Sequence, residues 1–204
     1  MKNNILSGLC AGIVVSIGGT VFLACDNKYI GAILFSVALL CICFKGYALF
    51  TGRIGSLAEQ HTFNFAGALL LWLLGNAAGT VVCGLLIRFA LPKLGENAAV
   101  LCTGKLDQQL WSTLIRGVFC GILMYLAVSI YREKASTLGI LFCIPVFILS
   151  GFEHSIADIF YFSASGIFSG KVLLFILVVI VGNSIGSLLL PILNDALAKG
   201  RKPQ

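Results

Sequence analysis

Six long apolar segments constrain the fold of this chain more than any other feature of its sequence. They lie at about residues 5–24, 29–44, 65–91, 110–131, 138–149 and 172–193, and a shorter apolar piece follows the second and the fifth. A helix needs roughly 20 apolar residues to cross the hydrocarbon core of a bilayer. The sequence therefore predicts an all-α membrane protein whose six transmembrane helices form a single domain over residues 1–204.

The composition excludes several other classes of protein. Hydrophobic residues make up 59% of the 204 residues and charged residues only 11%, whereas soluble chains carry about 25% charged residues. No room remains for a separate soluble domain, and the net charge of +6 is explained by membrane topology before any binding of nucleic acid. The eight cysteines are scattered without a C-x-x-C motif or a Cys/His cluster, so we expect no disulfide, no metal site and no cofactor.

The basic residues predict an orientation in the membrane. Six spans place both termini on the same side. If that side is the cytoplasm, seven cations lie inside: Lys2, Arg53, Arg132, Lys134, Lys199, Arg201 and Lys202. Five then lie outside: Lys28, Arg88, Lys93, Lys105 and Lys171. Because positive residues concentrate on the cytoplasmic side, we expect cytoplasmic N- and C-termini.

The two halves of the chain resemble each other. Residues 75–79 (Gly-Asn-Ala-Ala-Gly) recur as residues 182–186 (Gly-Asn-Ser-Ile-Gly), and residues 34–37 recur as 141–144, both at an offset of 107. Residues 10–13 recur as 119–122 at an offset of 109. Each half holds three spans, so the second copy must enter the membrane inverted. We predict a 3+3 inverted repeat over about residues 5–91 and 110–198, which argues against a cleavable signal peptide at residues 1–25.

Polar residues and glycines interrupt the second and fifth spans. The interruptions lie at residues 45–53 and 150–158, where Gly46 and Gly151 supply backbone freedom. Thr51 and Ser155 are candidate caps for the half-helices that follow. Broken helices at matching places in an inverted repeat indicate a transport path near the bilayer midplane. Two half-helix N-termini there would form a positive lining that suits a small anion.

These residues resemble the formate/nitrite transporter family. The resemblance is carried by residues 49–52 (Leu-Phe-Thr-Gly), residues 151–157 (Gly-Phe-Glu-His-Ser-Ile-Ala), the two Gly-Asn-x-x-Gly copies and Trp72. It implies an aquaporin-like fold with broken helices two and five, assembled as a homopentamer with one pore per subunit. It also implies transport of a small monovalent anion of a weak acid, such as formate, nitrite, hydrosulfide or lactate, together with protons, in the inner membrane of a bacterium.

The resemblance also assigns candidate site residues. Thr51 and His154 would flank a central site and pass a proton or hydrogen bond to the anion, and Lys105 would lie in an outer vestibule. The constrictions would be formed by Phe35, Leu39, Leu49 and Phe147, and the motif residues Asn76 and Asn183 are expected along the pathway. An apolar constriction makes the passage of a bare charge costly. We therefore expect permeation coupled to protonation.

The remaining charges near the interruptions need an explanation in an anion path. Glu153 is expected to pair with backbone N–H groups or a cation. Asp158 replaces the asparagine that the family usually has, and four residues after His154 it would stabilise a charged imidazole. Lys45 is a candidate to neutralise Glu153 or Asp158. Arg116, in the fourth span, is expected to reach either the vestibule or the lipid headgroups.

Other functions fit the sequence less well. An aquaporin-like channel for a small neutral solute shares the expected architecture, but its two Asn-Pro-Ala boxes are absent from the sequence. No nucleophile motif supports an intramembrane hydrolase, so we expect no enzymatic activity. A purely structural membrane scaffold would not require two polar interruptions at membrane depth.

Overall fold

The computed structural model describes residues 2–58 and 63–200, and all regular structure in them is helical. Two of the predicted cytoplasmic cations, Arg201 and Lys202, lie outside these residues. The helices are α1 (Lys2–Ala24), α2 (Lys28–Lys45), α3 (Phe50–Arg53), a 3₁₀ helix (Ile54–Ala58), α4 (Phe63–Ala90), α5 (Pro92–Leu106), α6 (Leu110–Lys134), α7 (Leu138–Leu149), α8 (Ser155–Ser165) and α9 (Gly170–Gly200). The predicted all-α class is confirmed.

Five of these helices are long and apolar enough to cross a membrane: α1, α2, α4, α6 and α9. α7 is equally apolar but has only 12 residues. Large apolar side chains on these helices face outward, for example Leu70, Leu86 and Phe142. Such a surface suits lipid or a neighbouring subunit, and the predicted sixth span would consist of α7 together with α8.

The two predicted interruptions have the same backbone geometry. Gly46 follows α2 and Gly151 follows α7, with φ angles of 69° and 70°, a left-handed conformation that costs glycine little. In both places the residue directly after the glycine donates a backbone hydrogen bond of 3.0 Å, from Tyr47 to Ile42 and from Phe152 to Phe147. The two glycines are 105 positions apart, whereas Asn76 and Asn183 are 107 apart. The segment between interruption and asparagine is therefore two residues longer in the second half.

Small residues allow the long helices to pack closely. α1 packs along α4, and α6 packs along α9. A Cβ atom on Gly12 of α1 would overlap the carbonyl oxygen of Asn76, and one on Gly121 of α6 would overlap that of Asn183. Membrane helices commonly use glycine to bring backbones together in this way. The recurrence of residues 10–13 as 119–122 therefore reflects a matching helix contact in each half.

The short helices connect the two halves. α8, from the second half, packs mainly on α4 and also contacts α1. The 3₁₀ helix, from the first half, packs on α9, and α3 contacts α6. Because each short helix lies against long helices of the other half, the ends of α3 and α8 meet inside the bundle.

Candidate functional site

Three spaces follow one another through the centre of the bundle. The first, which we name the Lys105 cavity, has a volume of about 360 Å³ and is lined in part by Lys105, Arg116 and His154. The second, the Arg132 cavity, has a volume of about 170 Å³ and lies beside Arg53 and Arg132. A narrow apolar pocket of about 10 Å³ shares lining residues with both cavities. The shared residues place this pocket between the two cavities.

All four predicted constriction residues line the narrow pocket. Phe35 and Phe147 separate it from the Lys105 cavity, and their rings meet edge to face with centroids 6.3 Å apart. Leu39 and Leu49 separate it from the Arg132 cavity. All four side chains are buried. The structure therefore brings together residues that lie up to 112 positions apart in the sequence, and a barrier at this place remains our prediction for them.

Thr51 and His154 meet beside this pocket. Thr51 Oγ1 lies 2.8 Å from His154 Nε2, and both residues are buried. The other ring nitrogen, Nδ1, accepts a 3.1 Å hydrogen bond from the backbone N–H of Ala157. A nitrogen that accepts a hydrogen bond carries no proton, so the proton of the neutral ring lies on Nε2 and is donated to Thr51. The Thr51 hydroxyl hydrogen is then directed away from the imidazole.

The helix caps differ from the sequence prediction. Thr51 lies inside α3, and Ser155 is the first residue of α8, so neither is the capping residue. His154 caps α8 through its imidazole, and Leu49 precedes α3 without a side-chain bond. The first N–H groups of the two helices instead bond to side chains that are far away in the sequence. Phe50 N donates to Asn76 Oδ1 at 2.8 Å, and Ser155 N donates to Asn183 Oδ1 at 2.9 Å.

These bonds also correct the expectation that Asn76 and Asn183 line the substrate pathway. Asn76 Nδ2 donates to the carbonyl oxygens of Gly8 and Ala48. Asn183 Nδ2 donates in the same way to those of Gly117 and Glu153. Both side chains are fully buried. Because each amide has used its two N–H donors on the backbone, neither has a donor left for a passing anion, and both act as clamps on the interruptions.

A cluster of three charges lies at the wall of the Lys105 cavity. Lys105 lies on α5, and its Nζ is 2.9 Å from Asp158 Oδ1 and forms an ion pair with Glu153 Oε2. Gln108 Nε2 donates to Glu153 Oε1 at 2.7 Å. Burial lowers the pKa of Lys105, but the carboxylates of Asp158 and Glu153 outweigh this effect and raise it above its ordinary value.

This cluster overturns two predictions about charge. Lys45 is exposed at the end of α2, while Lys105 holds both Glu153 and Asp158, so the hypothesis that Lys45 neutralises them is wrong. Asp158 was expected to act on His154. Its Oδ1 faces Lys105 instead, and the two ring nitrogens of His154 are engaged by Thr51 and by the backbone of Ala157.

Several lining residues were not anticipated from the sequence. Gln108 lies three positions after Lys105 in a polar segment, and that spacing is a usable signal. Met124 of α6 and Ile144 of α7 line the narrow pocket, but nothing in the sequence distinguishes them from packing residues. Tyr161 lies in the wall of the Lys105 cavity with its ring centroid 6.0 Å from Lys105 Nζ, and it too resembles an ordinary aromatic of an apolar helix.

The chain is similar to known bacterial transport proteins. Two relatives come from Bacillus subtilis (strain 168): the uncharacterized transporter YwcJ, 27% identical over 185 residues, and the uncharacterized transporter YrhG, 30% identical over 162 residues. The formate channel FocB of Escherichia coli (strain K12) is 26% identical over 179 residues. These alignments include 79%, 71% and 76% of this chain, and they span 72%, 60% and 64% of the three relatives.

Solved structures share the fold. A pentameric formate channel with formate bound superposes with a TM-score of 0.81 at 20% identity, covering 98% of both chains. A second solved structure, an FNT family ion channel, superposes with a TM-score of 0.79 at 22% identity, and the alignment covers 98% of this chain and 88% of the other. The family model described as formate/nitrite transporter matches residues 1–195. This is a family of transporters rather than enzymes, and the chain is an integral membrane protein that belongs to the formate/nitrite transporter family.

Proposed function

We propose that this chain forms a transmembrane path for small monovalent anions of weak acids, such as formate or nitrite, and that passage is coupled to protonation at Thr51 and His154. The observation that carries the proposal is the Thr51–His154 hydrogen bond beside the narrow pocket between two wider cavities. The likeness to FocB and to the formate-bound channel supports the choice of substrate class.

The lining of the narrow pocket supports coupling to protons. Apart from His154, its lining is made of apolar side chains, and its volume is only about 10 Å³. An ion that enters such a space loses its hydration and finds no countercharge, at a cost of several kcal/mol. A neutral weak acid loses much less. The Thr51 hydroxyl can donate a hydrogen bond to the oxygen that the solute presents there, which partly replaces water.

The same observations support a proposal for the architecture. We infer a 3+3 inverted repeat, since the glycine stops and the asparagine clamps recur in both halves. With cytoplasmic termini, the Lys105 cavity opens to the outside and the Arg132 cavity to the cytoplasm. We infer a homopentamer with one path per subunit, in the inner membrane of a bacterium, from the pentameric channel of the same fold and the bacterial relatives.

The substrate class is tested by transport into proteoliposomes. The purified protein is reconstituted, and the uptake of formate, nitrite, lactate and hydrosulfide is compared with that of protein-free liposomes, alongside the swelling of the vesicles in glycerol. We expect at least one of the anions to enter faster than in protein-free liposomes, and we expect the vesicles to swell in glycerol at the same rate as protein-free liposomes. Faster entry of glycerol or water without any anion would support the neutral-solute channel, and no faster entry of any solute would contradict both functions.

A further inference from the structure

Lys105 is poorly suited to attract an anion from solution. Its ammonium group is shared between Glu153 and Asp158, and both carboxylates are buried. The two carboxylates leave the cluster with no net positive charge. A positive charge that is already balanced by its neighbours attracts an entering anion only weakly. The cavity needs a cation without such neighbours if it is to attract anions.

Arg116 is that cation. It lies on α6 and lines the same cavity. Its Nε donates to Ser112 Oγ at 3.2 Å and its Nη1 donates to the carbonyl oxygen of Gly151 at 2.8 Å. No described Asp or Glu forms an ion pair with it. The side chain is therefore held in place while its positive charge has no carboxylate countercharge among the residues that the structure describes.

The hydrogen bonds of Arg116 leave a particular set of donors. A guanidinium group has five N–H donors, and two of them are used on Ser112 and Gly151. The remaining three lie on Nη1 and Nη2, which together form one planar edge. Two parallel N–H donors on such an edge match two oxygens of a planar anion, whereas a lysine offers only a point charge.

We infer that Arg116, and not Lys105, captures the anion in the Lys105 cavity and selects planar anions with two oxygens, such as carboxylates and nitrite, over hydrosulfide. This inference rests on the proposed function and specifies its substrate class. The captured anion would share a cavity with His154 and Phe147, two residues that also line the narrow pocket. Arg116 is also tied to the interruption itself, because its carbonyl oxygen accepts the backbone N–H of Glu153 at 3.4 Å.

Transport kinetics test the selectivity. Formate and hydrosulfide uptake are measured against concentration for wild type, Arg116→Lys and Arg116→Gln. We expect Arg116→Gln to raise the half-saturating formate concentration by about tenfold, as loss of a charge-assisted hydrogen bond does, with a maximal rate within about twofold of wild type. Arg116→Lys should raise the half-saturating concentration of formate more than that of hydrosulfide. Lys93→Gln, an exposed charge on α5, is the control and should leave both curves unchanged.

Chemical modification separates binding from a purely structural role. Phenylglyoxal, which reacts with arginine, is applied to the wild-type protein, and modification of Arg116 is followed by peptide mass spectrometry. We expect formate to protect Arg116 from modification. Formamide, the neutral analogue of formate, should give no protection. Lack of modification, equal protection by both solutes, or unchanged half-saturation in Arg116→Gln would overturn the inference. The proposed function fails separately, if the wild-type protein carries no anion at all.

Discussion

One hydrogen bond of His154, at its ring nitrogen Nδ1, determines how His154 can interact with Thr51. Ala157 N–H occupies Nδ1, so the proton lies on Nε2 and points to Thr51. This arrangement fixes the direction of the hydrogen bond from the imidazole to the Thr51 hydroxyl. We therefore propose that Thr51 contacts the solute and that His154 orients the Thr51 hydroxyl.

Removing the Thr51 hydroxyl should reduce transport. Thr51→Val keeps the shape of the side chain but removes the donor, so we expect formate uptake to fall by about tenfold or more, the effect of losing a hydrogen bond worth about 1.5 kcal/mol. Thr51→Ser should stay near the wild-type rate. Thr80→Val is a matched control, because that buried hydroxyl donates to backbone oxygens within its own helix. Uptake by Thr51→Val at the wild-type rate would contradict the assigned role.

The charge cluster should behave as a stability element. Lys105→Met leaves Glu153 and Asp158 buried without a cation, and breaking such a buried pair costs about 3–5 kcal/mol. We expect a clear fall in the melting temperature of the detergent-solubilised protein. Asp158→Asn alone should be tolerated, because Lys105 still forms its ion pair with Glu153. Addition of Asp158→Asn to Lys105→Met should recover part of the loss, and a double variant no more stable than Lys105→Met would show that the two residues are not coupled.

The helices show which parts of this fold a sequence can predict. The repeat was detectable because glycine and asparagine recur where helices approach closely, and the packing of Gly12 and Gly121 explains that recurrence. The partner of Glu153 was not predictable in the same way. Lys45 is adjacent to an interruption in the sequence, but α5 brings Lys105 to the carboxylates in three dimensions.

The helix caps failed as predictions for a related physical reason. Local rules assign a cap to a nearby serine or threonine, such as Ser155. Here the cap oxygens come from Asn76 and Asn183, which lie 26 and 28 positions from the N–H groups that they accept. Only the packing of α4 and α9 against the interruptions shows that these amides are used as clamps.

Close packing between α1 and α4 gives a prediction about stability. A Cβ on Gly75 would overlap backbone atoms of α1, including the carbonyl oxygen of Ile5, whereas a Cβ on Gly67 of the same helix meets no atom within 4 Å. We expect Gly75→Ala to destabilise the protein by about 1–3 kcal/mol through overpacking. Gly67→Ala should be neutral or slightly stabilising. Equal melting temperatures for both variants would argue against the observed helix contact.

The whole molecule has an orientation that labelling can test. Lys93 and Lys134 are exposed near the ends of different helices, and the positive-inside rule places them on opposite sides of the membrane. A membrane-impermeant maleimide should label Lys93→Cys in intact cells. Lys134→Cys should react only after the cells are made permeable, with the wild-type chain as the background for native cysteines. The reverse pattern would invert the topology and exchange the roles of the two cavities.

The sequence predicted the class of fold and the family better than the details of the centre of the bundle. Apolar segments, interruptions and family motifs were enough to anticipate the class of fold and the Thr51–His154 pair. The charge balance of the Lys105 cavity was not predictable, because it depends on how α5, α6 and α8 come together. This balance is the basis of our inference that Arg116, and not Lys105, meets the anion before the apolar pocket.

Simultaneous recording of formate entry and internal pH shows whether a proton crosses the membrane with each anion. Proteoliposomes with a trapped pH-sensitive dye receive external formate, and protein-free liposomes supply the background. If the narrow pocket passes the anion only with a proton, the interior acidifies in step with formate uptake and faster than in the background, and Thr51→Val slows both signals together. Formate uptake that leaves internal pH unchanged while an inside-negative membrane potential develops would show that the bare anion crosses, and would contradict coupling to protonation.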